Sequence, residues 1–133
     1  MIALEIKNSY EGLYKFKESC TKEKRKFPTR VSLMINRNMN NLKSVYDDIE
    51  TERMNIIMKY TEKDENGETI QDEKGNVHID DLDGVNKELA EMFDTEIDVH
   101  IDFITVEDIE KCDLDEYDSL TFDEVSMLSF MIK

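Results

Sequence analysis

The chain has 133 residues and is 39% hydrophobic, which suits one domain with a modest core and leaves little for a second. No run of about 18 apolar residues occurs, and MIALEIKNSYEGLYKF lacks a basic region followed by an apolar stretch, so neither a membrane span nor a secretory signal is expected and a cytoplasmic setting is. A net charge of −15 disfavours direct contact with free nucleic acid and favours basic protein surfaces.

In chain order, Ile2, Leu4 and Ile6 alternate with Ala3 and Glu5 and predict a short strand with one buried face. Asn8 and Ser9 offer N-caps for a helix that ends near Cys20. TKEKRKF reads as an exposed basic connector, and Pro28 suits a helix start. From Thr29 to Tyr60 there is no glycine or proline, and Val31, Ile35, Leu42, Val45, Ile49 and Ile56 follow an alternating four–three spacing. This predicts a long helix with a coiled-coil-like seam, interrupted at Asn38 and Glu52. At 1.5 Å per residue it would measure roughly 48 Å, long enough to project or to be covered by another chain.

Asn66-Gly67 and Gly75-Asn76 are turn signals flanking short β-prone pieces, which predicts a β-hairpin at the end of the long helix. Asp81 or Asp83 then caps a helix whose apolar face carries Val85, Leu89, Met92 and Phe93. Ile97, Val99, Ile101 and Phe103 alternate with Glu96, Asp98, His100 and Asp102, which predicts a second strand paired with the first. Thr105 with Asp108, and Thr121 with Glu124, each fit a capping box. The expected fold class is therefore α+β, mainly helical: a long coiled-coil-like helix packed on shorter ones, with a small antiparallel sheet and a hairpin at its tip. It forms a single domain, 1–133. Strand, helix and basic connector occupy 1–27, the long helix 28–61, the hairpin 62–80, and a helix, a strand and acidic C-terminal helices 81–133.

Charge is divided unevenly along this plan. Residues 1–61 carry 12 Lys/Arg against 8 Asp/Glu, and residues 62–133 carry 5 against 24. The densest clusters are Lys22, Lys24, Arg25 and Lys26 on one side, and Asp113, Asp115, Glu116 and Asp118 on the other. These eight are the interaction candidates, whether they pair with each other inside the fold or dock a partner.

Catalytic chemistry finds little support. Glu96, Asp98, His100 and Asp102 share one face of the predicted strand, but same-face neighbours lie nearly 7 Å apart, too far for many to share an ion. Glu62, Asp64, Asn66, Gly67 and Glu73 approach a calcium-loop spacing, yet the first position is Glu and Thr69 stands where an aliphatic residue belongs. His78 and His100 lack metalloprotease spacing, and no serine-elbow or phosphate-loop pattern occurs. Cys20 and Cys112 form no C-x-x-C pair and read as idle thiols. No metal, cofactor or catalytic residue is expected, and the protein reads as non-enzymatic.

The run from MKYTEKDENG through DEKGN, NKELAEMFDTEI and DVHIDF to the closing helix resembles small acidic proteins encoded by tailed bacteriophages, over Thr29 to Lys133. The resemblance implies a phage setting and carries over no activity and no functional residue. Two functions are therefore expected: a structural or assembly accessory protein that binds a protein partner or further copies of itself, or an acidic inhibitor that blocks a nucleic-acid-binding groove of a host or defence protein.

Overall fold

The computed structural model describes all residues from Met1 to Lys133. Five helices, α1 (Ala3–Lys22), α2 (Thr29–Lys59), α3 (Leu82–Phe93), α4 (Val106–Lys111) and α5 (Phe122–Met127), are followed by a 3-10 turn, Leu128–Met131. No helix is long and apolar enough to cross a membrane.

α1 and α2 form an antiparallel hairpin and are the backbone of the molecule. Ala3, Ile6, Leu13, Phe16 and Cys20 recur at helical intervals and are buried along one face of α1. This stripe is why the predicted N-terminal strand is absent. Ile2, Leu4 and Ile6 do alternate, but Ile6 is the second residue of a stripe reaching Cys20, and the longer pattern prevails, leaving Leu4 exposed. Glu5 closes the first turn by accepting the Ile2 N–H at 2.9 Å. α2 buries Val31, Ile35, Leu42, Ile49 and Ile56, so its seam is covered within the chain nearly end to end.

The predicted hairpin at 62–80 and the sheet are also absent: the chain has isolated bridges and no strand. Residues 64–68 and 72–76 are two turns of the same design. Asp64 Oδ1 accepts the Asn66 and Glu68 N–H groups, Asp72 Oδ1 accepts those of Lys74 and Asn76, and Gly67 and Gly75 take positive φ. The pieces between the turns are too short for a ladder, so only single bridges such as Lys63 with Thr69 and Gln71 with Val77 form.

Residues 95–104 run extended without being a strand. Their expected partner is a helix, so other groups satisfy the backbone. Ala3 N–H donates to the Thr95 carbonyl and Ile97 N–H to the Met1 carbonyl, both at 2.9 Å. Farther along, two asparagines of α2 take over. Asn38 Nδ2 donates to the Asp102 carbonyl at 2.8 Å while Asp102 N–H donates to Asn38 Oδ1 at 2.7 Å, and Asn41 Nδ2 donates to the His100 carbonyl at 3.2 Å. Asn38 is fully buried, so a polar residue within an apolar seam acts as the clamp for a crossing segment.

The three short helices keep their caps. Asp81 accepts the Gly84 N–H, and Thr105 with Asp108 and Thr121 with Glu124 form reciprocal capping boxes.

Candidate functional site

Three of the four arginines of the basic N-terminal half, Arg25, Arg30 and Arg37, pair with carboxylates of the acidic half, while Arg53 pairs with Glu50 one turn away. Arg25 Nη2 donates to Glu124 Oε1 at 2.8 Å and to the Ser119 carbonyl at 3.0 Å, with its guanidinium against Phe27, 5.1 Å from the ring centroid. Arg30 pairs with Asp108 at 3.1 Å and Arg37 with Asp102 at 2.8 Å. The planar guanidinium fork suits such half-buried pairs better than an ammonium would. Arg25 and the Thr121 cap hold the Glu124 carboxyl below its ordinary range, and the Arg37 guanidinium does the same for Asp102.

The eight interaction candidates consequently divide. Arg25 is consumed by Glu124. Lys26 and Asp118 meet through the backbone, Lys26 N–H donating to Asp118 Oδ2 at 2.7 Å and Asp118 N–H to the Lys26 carbonyl at 2.9 Å. Lys22, Lys24, Asp113, Asp115 and Glu116 remain exposed. The structure thus brings the connector and the start of the acidic C-terminal segment together inside one copy and leaves the outer charges to solvent.

The exposed lysines extend a surface that composition did not single out. Three shallow hollows of about 280, 460 and 490 Å³ follow one another along the crease between α1 and α2. The first and third share Lys17 and Thr21, and the second and third share Tyr14. At one end Tyr10 stacks on Tyr46 with ring centroids 4.4 Å apart, and Tyr14 stands 54% exposed beside them. Lys15, Lys17, Lys22 and Lys24 line the rest together with two carboxylates, Glu11, which is paired with Lys7, and Glu18, so lysines outnumber carboxylates along it. Lys7, Lys43, Lys59 and the arginines hold ion pairs, whereas these four lysines hold none.

Lys24 has a backbone cost attached to it. α1 ends with Arg25 N–H donating to the Cys20 carbonyl and Lys24 N–H to the Thr21 carbonyl, a termination that puts Lys24 in the left-handed region at φ 55°. Glycine is the residue that takes this position without strain. A lysine there gives up stability and adds charge at the mouth of the first hollow. Tyr10, Tyr14 and Lys17 already fall within the helix predicted from Asn8 to Cys20; what the sequence does not show is that α2 packs beside this face and brings Tyr46 and Met39 to it.

The weighed chemical clusters do not assemble. His100 Nε2 meets Asp102 Oδ1 at 3.1 Å, but Asp102 is also drawn to Arg37 and Glu96 faces the N-terminal amine at 3.4 Å, so the row from Glu96 to Asp102 comes together only at that one pair. Asp64, part of the calcium-like spacing, spends one oxygen on its own turn, and Glu73 belongs to the other turn. Glu62, His78 and Asp80 have ligand atoms within 4.8 Å of one another and could approach a cation; the group is open to solvent. Burial pushes the Cys20 and Cys112 thiols up, away from the reactive thiolate. No family model, no curated protein and no solved structure matches the chain.

Proposed function

We propose that this protein is a non-enzymatic interaction module, a phage-encoded structural or assembly accessory, that docks an anionic protein surface in the crease between α1 and α2. The carrying observation is the set of four unpaired lysines beside three tyrosines on a chain of net charge −15. Tyrosine gives contact area at small entropy cost, and a local positive field within a negative molecule orients an approaching acidic partner. The strained Lys24 supports the reading, because strain retained at a surface position points to use. The phage setting rests on the resemblance over Thr29 to Lys133.

The other reading, an acidic inhibitor of a nucleic-acid-binding groove, needs carboxylates presented in rows. Asp102, Asp108 and Glu124 are turned onto Arg37, Arg30 and Arg25, and Asp118 onto the Lys26 amide, which leaves Asp113, Asp115 and Glu116 as a short exposed run rather than a long row. The crease therefore ranks first.

The test is affinity capture from phage-infected cells with the wild-type chain and with Lys15→Glu/Lys17→Glu/Lys22→Glu. A virion or assembly protein retained by the first and lost by the second supports the proposal. Identical captured sets would overturn it.

A further inference from the structure

The chain carries, on its own surface, the chemistry that the crease would accept. Asp113, Asp115 and Glu116 are exposed and hold no ion pair, and they alternate with the half-exposed Leu114 and Tyr117. A few residues on, Phe122 at the start of α5 is 86% exposed, the most exposed large apolar side chain of the molecule. Nothing within one copy covers it. The segment from Asp113 to Phe122 is thus acidic with apolar anchors, and the crease is basic with aromatic walls.

Within one copy the two cannot neutralise each other further, because Asp118 is tied to Lys26 at the connector while Asp113, Asp115 and Glu116 stay in solvent. The same tie places the acidic segment beside the Arg25 and Phe27 end of the crease. That adjacency matters for symmetry. A two-fold axis passing beside Lys26 and Asp118 would lay each crease against the other copy's segment, with residue i on j and j on i, and would close the assembly at two.

We infer that the occupant of the crease is a second copy of this chain, whose Asp113–Phe122 segment sets its carboxylates against Lys15, Lys17 and Lys22 and its Phe122 against the tyrosine-lined wall. This rests on the proposed role of the crease and names its partner. Such charge pairs mainly set orientation and association rate, and the aromatic anchor slows dissociation.

Sedimentation equilibrium at low salt tests it with four samples, each first checked for native helical content by circular dichroism. These are the wild type, Lys15→Glu/Lys17→Glu/Lys22→Glu, Asp113→Lys/Asp115→Lys/Glu116→Lys, and an equimolar mixture of the two variants. In each variant alone the facing charges repel, while in the mixture both reciprocal contacts attract. The wild type should dimerise, each variant alone should lose about tenfold or more in dimer affinity, and the mixture should recover it. Phe122→Ala should weaken the dimer by a similar factor with unchanged helicity.

A wild type that stays monomeric throughout would overturn the inference, as would variants that still dimerise alone or a mixture that does not recover. The capture experiment separates this failure from failure of the underlying reading. A monomeric wild type that still loses its captured phage protein on lysine reversal leaves the crease as a docking site and removes only the second copy.

Discussion

The Asn38 side chain stands in for a neighbouring strand to Asp102, donating to its carbonyl at 2.8 Å and accepting its N–H at 2.7 Å from inside the core of α2. An amide offers a donor and an acceptor side by side, as a backbone does. Removing it strands two polar groups. Asn38→Ala should cost about 2–4 kcal/mol in urea denaturation, since each unsatisfied buried group costs about 1–3 kcal/mol. Asn38→Asp should not restore that loss, because a carboxylate cannot donate to the carbonyl. A cost as small as that of an exposed substitution would mean that residues 95–104 are held by apolar contact alone.

Leu42 is fully buried at the middle of the seam. Leu42→Ala should cost about 2–5 kcal/mol, the range for deleting a leucine side chain where the surroundings relax only in part. A loss below about 0.5 kcal/mol would place the seam at the surface of the isolated chain.

The Arg25–Glu124 pair gives stability a specific pH dependence. Arg25 lowers the Glu124 carboxyl from its ordinary value of 4.5. A depressed folded value means the contribution is present in full above the unfolded value and is lost as pH falls through the folded one. Asp108, held low by the Thr105 backbone and Arg30 against its own burial, acts in the same direction. Stability should therefore hold steady near neutrality and fall below about pH 4.5. Glu124→Gln should cost about 1–3 kcal/mol at pH 7 and flatten the acid limb, as thermal melts across pH would record. An unchanged acid limb would remove this pair from the account.

Lys24→Gly relieves the left-handed strain at φ 55°. Chemical denaturation should show a gain of about 1 kcal/mol, the scale of the left-handed penalty for a side-chain-bearing residue. The same variant should bind an anionic partner more weakly, so that stability and association move in opposite directions. A neutral or destabilising result would contradict the strain argument.

The sequence was most legible where one periodicity ran long or a cap was chemically specific. The α2 seam from Val31 to Ile56 and the boxes at Thr105 and Thr121 stand where spacing and hydroxyl–carboxyl pairing put them. It misled where a pattern was short. The alternation of Ile2, Leu4 and Ile6 was outvoted by a stripe running to Cys20, and that loss removed the partner on which Ile97–Phe103 depended as a strand. Asn38 was visible as an interruption of the seam, but its partner, 64 residues away, was not. Charge clustering singled out Arg25 and Asp118 without telling that Arg25 is held by Glu124 and Asp118 by the Lys26 backbone, because composition carries no direction. The crease was not legible because it lies between two helices, and sequence spacing places Tyr10, Tyr14 and Lys17 on one face of α1 without showing that Tyr46 and Met39 of α2 lie beside them.

On the proposed reading, the crease between α1 and α2 accepts an acidic segment bearing apolar anchors. A synthetic peptide of the chain's own residues 113–123, titrated into isotopically labelled Asp113→Lys/Asp115→Lys/Glu116→Lys protein, whose crease no second copy fills, and followed by nuclear magnetic resonance, tests it most directly. Amide shifts should concentrate at Tyr10, Tyr14, Lys17, Thr21 and Tyr46, saturate, and shrink as the Debye length falls from about 10 Å at 0.1 M salt to about 3 Å at 1 M. Shifts that are absent, scattered over α3 and α4, or unmoved by salt would contradict it.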